Sequence, residues 1–562
     1  NLGRMKFFNQ TVTAKYTLPL DKFPVTDWLG ADYRYQADYN WKAGPINVLP
    51  DAVAKERFVQ DLPDSLDFLN TIQNSRENNI TGKIDLVKLY NKIKFLKEIN
   101  TPPKPVTAKP RAATQAGKPA PKVEVDTIKR TPAAIKGLFR LLMAVRSINA
   151  TYLLSEGTIL PGFKPKPKFL GMDEGWSYPG WGFILGSQDP DIRLKTAEKN
   201  QMATTHLLTM PFQQIRTEAI TLRANVEPSP DFKVQVDLKK ENTTSYQEIF
   251  RDTTASFNEV SYASLNPSRG GSYRISFNTI RTAFKSSNDE VQSDVFQQFE
   301  ENLGIIHGKF EDIVQTEVDT LQDIVIPAFI AAYSGKDANT ISLSPFPKMP
   351  LPNWRIDYSG LNKVEALKEV FQSITLSHAY TSTYSVVNYN NSLEFTNPSE
   401  VGIDRPIEDY NNTYFGKINE AGKFVPMYVI SQVMISEQFS PLIGINVRTK
   451  SRLTARAEYK TKRDLALNIP NAQVTELNSK DVVLEVGYTK NNMKLPFRSQ
   501  GRTIVLKNDV TFRLNLTISD TKTIQRKIAD QAQITNGNVN FQLRPNISYV
   551  VNQKLTLQAY FE

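Results

Sequence analysis

The sequence predicts a mainly β protein, a segment of a very large transmembrane antiparallel β-barrel carrying helical and disordered insertions. Long runs alternate apolar and polar residues, and the apolar side of those runs is rich in tyrosine and tryptophan. No window reaches the roughly 18 consecutive apolar residues that a spanning helix requires, a condition that strands do not share.

Residues 31–43 carry the alternation most clearly. Ala31, Tyr33, Tyr35, Ala37, Tyr39, Trp41 and Ala43 hold the odd positions; Asp32, Arg34, Gln36, Asp38, Asn40 and Lys42 hold the even ones. Successive side chains on a strand point to opposite faces, so one face is apolar and aromatic and the other polar. Soluble strands run about five or six residues, whereas tilted membrane strands need about 9–11, and this run has the membrane length. Tyr33, Tyr35, Tyr39 and Trp41 are therefore expected to face lipid.

The pattern recurs at residues 8–18, 147–155, 453–460 and 510–519. Residues 220–226 and 232–238 form the expected arms of a hairpin around Glu227-Pro-Ser-Pro-Asp231, whose prolines and aspartate favour a turn. Soluble β-sandwiches alternate too. Strand length and the tyrosines and tryptophan on the apolar side favour the barrel.

Residues 65–100 are expected to be helical, with Leu86, Leu89, Tyr90, Ile93 and Leu96 at helical spacing. Residues 101–122 are rich in Pro, Ala and Lys and are expected to be an extended or disordered linker. Phe299, Leu303, Ile306, Phe310 and Ile313 mark a second helix within 289–332, and Leu361, Val364, Leu367, Phe371 and Ile374 a shorter one. The expected organisation is barrel strands in 1–43, a helical insertion and linker in 44–130, strands with rim loops in 131–285, a helical cap in 286–375, and strands again in 376–562.

The chain has 562 residues, a formal charge of +10 and no cysteine, which rules out disulfides and thiolate metal sites. Its basic residues are spread along the chain apart from the linker, which argues against nucleic-acid binding. The first six residues lack a charged segment leading into an apolar core, and the last run stops within an alternating stretch, so both ends are expected to be cuts through a longer polypeptide. His206, His307 and His378 lie far apart, each without a second ligand at short spacing. The glycine-rich run 180–186 has the wrong spacing for a dinucleotide or phosphate loop, and no Gly-x-Ser-x-Gly signature occurs. No catalytic activity, cofactor or metal is expected.

Several unusual strings stand apart from generic barrel sequence. They are Pro161-Gly162-Phe163-Lys-Pro-Lys-Pro167, Tyr178-Pro179-Gly-Trp181-Gly182-Phe183 with Gly186-Ser-Gln188, and Asn266-Pro267-Ser-Arg-Gly270-Gly271. Further on come Ile326-Pro-Ala-Phe-Ile-Ala-Ala-Tyr333, Pro350-Leu-Pro352-Asn-Trp354-Arg355, Ser377-His-Ala-Tyr380 and Glu437-Gln-Phe-Ser-Pro-Leu-Ile-Gly444. In this order, and along the whole chain, they resemble the SprA/Sov family, the outer-membrane translocons of the type IX secretion system in Bacteroidota.

The resemblance implies part of a giant single-chain barrel in the outer membrane of a Gram-negative cell, with a protein-conducting pore that exports folded cargo and supports gliding motility. Implied partners are outer-membrane lipid, cargo proteins bearing a C-terminal signal, a PorV-type shuttle barrel, a plug protein and other secretion-system subunits. Pro161, Gly162, Phe163, Pro179, Trp181, Gly182, Asn266, Pro267, Gly270, Gly271, Pro352 and Trp354 are poor strand formers and are expected in rim loops that dock partners. The other open readings are an independent porin or receptor barrel and a soluble cell-surface adhesin.

Overall fold

The computed structural model describes residues 5–44, 69–100, 133–205, 208–254, 260–285, 292–314, 321–395, 403, 416–499, 502–528, 530–552 and 554–561. The first half of the sheet is β1 (Phe7–Leu18), β2 (Leu29–Lys42), β3 (Asn70–Asp85), β4 (Val145–Phe163), β5 (Phe212–Ser229), β6 (Phe232–Asp252), β7 (Tyr262–Ser276), β8 (Asn353–Tyr358) and β9 (Phe371–Asn391). After the small hairpin β10 (Gly416–Ile418) and β11 (Phe424–Pro426) come β12 (Tyr428–Thr449), β13 (Leu453–Asn468) and β14 (Gln473–Lys490). A second hairpin, β15 (Met493–Ser499) and β16 (Arg502–Leu506), precedes β17 (Val510–Lys527), β18 (Gln533–Asn552) and β19 (Leu555–Tyr560).

All but the two small hairpins join one antiparallel sheet of 15 strands, in the order β1-β2-β3-β4-β5-β6-β7-β9-β12-β13-β14-β17-β18-β19, with β8 wedged between β6 and β9. Nearly every neighbour in space is a neighbour in sequence, as expected of a meander of hairpins. The strands are long: β6 and β9 have 21 residues each and β12 has 22. They exceed the roughly 9–11 residues of a bare membrane crossing and extend well past it.

The two ends of the sheet differ. At one end lie tight turns, as between β5 and β6, where Ser229 pairs with Phe232, and between β12 and β13, beside the longer connections 86–144 and 491–509. At the other end run the long connections 164–211 and 392–427, while 277–352 interrupts one lane of the sheet between β7 and β8, both of which pair with β6 and β9. Helices α1 (Leu86–Tyr90), α2 (Lys94–Asn100) and α3 (Ala133–Leu142) lie between β3 and β4, connection 164–211 contains α4 (Trp181–Ile184) and α5 (Ile192–Glu198), and 277–352 contains α6 (Asp294–Val314) and α7 (Leu321–Ser334). The described residues of 164–211 and 277–352 pack onto one face of the sheet and form a cap. The main core lies at that contact, where Tyr39, Trp41, Ile72 and Leu160 from strands meet Met172, Phe183 and Ile184, and where Ile275 and Tyr384 join the same cluster as Phe299 and Phe329 of the helices.

Three readings need correction. Residues 70–85, expected to be helical, are β3, whose every residue from Asn70 to Asp85 pairs with β4. Helix follows only from Leu86, in Leu86–Tyr90 and Lys94–Asn100. The linker 101–122 lies outside the described residues. Within the expected cap 286–375, Asn353–Tyr358 is strand β8, and Phe371 and Ile374 belong to β9. Val364 is extended (φ −74°, ψ 119°), which breaks the helix that the spacing of Leu361, Val364 and Leu367 suggested.

Candidate functional site

The pairing register sorts side chains across the whole sheet. Tyr33 is opposite Ile80, Ile80 opposite Tyr152, and Tyr152 opposite Ile220. Further along, Ala457, Leu484, Leu516 and Leu543 form one continuous row on the same face. The row one residue away is Arg456, Glu485, Asn515 and Arg544, on the opposite face. In β18 the alternation runs from Val539 through Phe541, Leu543, Pro545 and Ile547 to Tyr549, the length of a tilted membrane crossing.

These apolar side chains are exposed although large: Ile220 is 44% accessible, Leu484 39% and Leu543 44%. Scattered exposed apolar residues are ordinary on soluble proteins, but apolar rows aligned across β2–β5 and again across β13, β14, β17 and β18 mark an interaction surface, a belt. Tyr33, Tyr152 and Tyr459 flank the belt toward the cap, and Tyr488 and Phe512 flank it toward the opposite end, where β12 turns into β13. Among the described residues no helix is long and apolar enough to cross a membrane, a test that does not bear on strands.

The opposite face is hydrophilic and internally paired. Thr11 donates to Asp38 at 2.7 Å, Arg223 to Asp237 at 2.6 Å, and Ser436 to Asp464 at 2.6 Å. Such cross-strand contacts each contribute a few tenths to 1 kcal/mol and keep a wet wall from gripping apolar surface.

Beyond the belt, the apolar face passes under the cap, and buried charge fastens the two together. Arg193 of α5 pairs with Glu248 of β6, both side chains almost wholly buried. The guanidinium sits 5.1 Å from the Phe212 ring centre and 5.8 Å from that of Phe250, and Tyr246 donates to Glu248 at 2.6 Å. Farther along, Glu437 accepts from Thr279 at 2.6 Å and Tyr380 at 3.1 Å, and pairs with Arg463 at 2.9 Å. Arg463 in turn donates to the Thr282 carbonyl at 3.2 Å. Gln322 of α7 bridges β12, donating to the Tyr428 carbonyl at 2.7 Å and accepting from the Ile430 amide at 3.0 Å. Burial raises the pKa of the Tyr333 phenol, which stays neutral near Glu476, Arg526 and Arg463.

None of these clamps was predicted, yet a signal existed. Glu248 falls between Tyr246 and Phe250, and Glu437 between Ile435 and Phe439, each a charge on an otherwise apolar parity.

The expected lipid-facing aromatics are corrected in part. Tyr39 and Trp41 are 1% and 2% accessible. Tyr39 packs edge-on against Phe183 at 6.0 Å, and Trp41 donates to the Pro165 carbonyl at 3.2 Å, so both face the cap. Tyr35 is at the cap's border, its hydroxyl bonded to the Leu185 carbonyl. Tyr33 stands next to the belt, donating to Asn78 at 2.8 Å. The parity was right; strands that outrun a membrane bury the far end of the same face in protein.

The expected rim loops are corrected likewise. Pro161, Gly162 and Phe163 close β4, where the register slips opposite Asn70. Asn266, Pro267, Gly270 and Gly271 lie inside β7, with a bulge between Gln247 and Ile249 that accommodates Pro267, which lacks an amide donor. Pro352 precedes β8, and Trp354 lies within β8, stacked on Tyr380 at 4.5 Å. Pro179, Trp181 and Gly182 lie in the connection 164–211, the last two in α4. His378 lies 2.7 Å from the Leu442 carbonyl, His307 is 3.5 Å from Glu311, and His206 is outside the described residues.

Gly271 explains one glycine. A Cβ there would lie 2.0 Å from the Thr243 carbonyl oxygen and 2.5 Å from the Tyr389 hydroxyl. Gly271→Ala should therefore cost about 1–3 kcal/mol by overpacking, read as a lower urea midpoint for the full-length protein in detergent micelles.

No protein-family model and no curated protein matches the chain. Among solved structures it is similar to the ferric-catecholate import receptor Fiu from K12 E. coli in its closed form, at 7% identity and a TM-score of 0.29, over 99% of this chain and 63% of that one. It is also similar to BauA, the ferric preacinetobactin receptor from Acinetobacter baumannii, at 7% identity and a TM-score of 0.25, over 99% and 61%. For the copper transporter OprC the values are 8% and 0.20, over 99% and 73%. The chain spans less than two thirds of the length of the first two. TM-scores of this size do not establish a common fold.

Proposed function

We propose that the chain forms part of the wall of an outer-membrane protein-conducting channel, a SprA/Sov-type translocon of the type IX secretion system in a Bacteroidota cell. The observation that carries the membrane half of this reading is the register-aligned apolar belt, with a hydrophilic row one residue away on the opposite face. The ordered strings quoted above support the translocon half.

The physics follows from those faces. In hydrocarbon every backbone amide and carbonyl must be paired, and a closed antiparallel sheet is the strand solution. Barrel diameter grows with strand number, so a wall of this many strands, continued to closure, encloses a lumen wider than side chains can fill. A lumen face of paired Thr, Ser, Asp, Lys and Arg lets folded cargo pass in water without adhering. The wall performs no chemistry; shuttle barrel, plug protein and the remaining secretion subunits supply gating and delivery, and the channel also supports gliding motility.

The full-length protein is expected to float with outer membranes and to need detergent for extraction. Its depletion should trap cargo with C-terminal signals in the periplasm. A protein monodisperse in plain buffer sinks the membrane reading. Normal cargo release with loss of small-solute uptake sinks the translocon reading and favours a receptor barrel.

A further inference from the structure

The cap presents apolar side chains outward as well as against the sheet. Phe169 and Trp176 stack at 6.0 Å, and Trp176 lies 6.0 Å from Trp181. All three are exposed, as are Leu170 and Leu185. Trp181 and Leu185 are one helical turn apart, joined by the hydrogen bond from the Leu185 amide to the Trp181 carbonyl at 2.9 Å.

This patch is held, not loose. Asp173 accepts from the amides of Ser177 at 2.8 Å and Tyr178 at 3.0 Å, and its own amide donates to the Tyr178 carbonyl at 2.8 Å. Leu170 and Trp176 have φ of 48° and 55°, left-handed conformations that bulky residues rarely adopt. Strain of that kind, spent on turning two large apolar side chains toward solvent, marks a surface that meets something.

Its position says what. The cap lies on the face that bears the belt, and the Tyr35 hydroxyl ties Leu185 to the strand two residues from Tyr33, which borders the belt. Beside Phe169 is a groove of about 410 Å³ lined by Met5, Trp41, Pro167 and Phe169 and edged by Lys166 and Lys168. Exposed indole and phenyl rings with flanking ammonium groups, at the border of an apolar belt, match the headgroup level of a bilayer, where amphipathic rings and lysines concentrate.

We propose that residues 168–185 are an interfacial foot. Trp176, Trp181 and Leu185 insert at the headgroup–acyl boundary of the membrane that surrounds the belt, and Lys166 meets lipid phosphate while Lys168 stays paired with Glu174 at 2.9 Å at headgroup level. The foot fixes the depth of the wall in the bilayer and keeps the cap against the lipid surface. This rests on the membrane reading above.

The chain has no cysteine, so single labels can be placed cleanly in it. A polarity-sensitive fluorophore is attached to the full-length protein at Trp176→Cys, at Trp181→Cys, and at Glu174→Cys, which spares every ring and releases Lys168 from its ion pair. Leu484→Cys marks the belt and Gln542→Cys the polar face. Each protein is reconstituted into vesicles of phosphatidylglycerol and acyl-brominated phosphatidylcholine. Loss of emission at 174, 176, 181 and 484, with 542 unquenched, supports the foot. Quenching at 484 with 176 and 181 bright overturns the foot and leaves the belt standing. Bright labels at 176 and 181 that become shielded from iodide as protein concentration rises assign the patch to a second copy and also overturn it. A bright label at 484 removes the membrane reading itself.

Discussion

Glu248→Ala should destabilise the folded protein by about 3–5 kcal/mol, the usual result of removing one partner from a buried ion pair. The loss arises because Arg193, 6% accessible and ringed by Phe212, Tyr246 and Phe250, keeps its charge in a place where water cannot reach it. The Tyr246 hydroxyl loses its acceptor at the same time. The paired replacement Arg193→Met with Glu248→Leu removes both charges and fills the space with apolar volume, so it should recover most of the loss. Urea unfolding of the full-length protein in micelles measures the first effect. Limited proteolysis within 164–211 reports whether the cap has lifted from β6. A single-variant change within about 0.5 kcal/mol would mean that the pair is solvated and fastens nothing.

What the sequence disclosed of this arrangement, and what it hid, depends on what covers each face. Residues 31–42 were readable because every odd side chain there is apolar or aromatic, whether lipid-side or beneath the cap. The hairpin at Asp231 was readable because the chain reverses within a few residues, with Ser229 opposite Phe232. The helix Asp294–Val314 showed an apolar stripe because one side of it packs in the core through Phe299 and Ile306. β3 showed nothing. Its cap-side residues are Ile72, Asn74 and Arg76, and Asn74 donates to the carbonyls of Phe183 and Ser187 at 2.9 and 2.8 Å while Arg76 pairs with Glu156. A strand whose neighbours supply hydrogen bonds in place of lipid loses the period-two signal, because polarity no longer separates its two faces. The clamps had the opposite problem: their charges were visible on the apolar parity, but their partners lie 55 residues away in the case of Arg193 and Glu248 and cannot be paired without the fold.

Leu484→Arg tests the belt against its neighbour. Leu484 lies in the apolar row between Ala457 and Leu516, and Val483 lies on the other face beside Thr517 and Glu458. If the belt faces hydrocarbon, an arginine at 484 must be carried into the bilayer, at a cost of about 2–4 kcal/mol near the midplane. Val483→Arg places the same charge one residue away, on the face where Glu485 and Asn515 line a polar groove, and should stay within about 0.5 kcal/mol. Unfolding of both proteins from vesicles by urea gives the two numbers, with Leu484→Arg also expected to lower the yield of inserted protein. The size of the difference matters more than either value, because the substitutions share a strand, a residue type and nearly the same place in the chain. On a soluble sheet, Leu484 is already 39% accessible and its replacement by arginine costs almost nothing. Equal small effects at 483 and 484 would therefore mean that both faces of this sheet meet water, and a large effect at 484 alone follows only if a one-residue step crosses from pore to lipid.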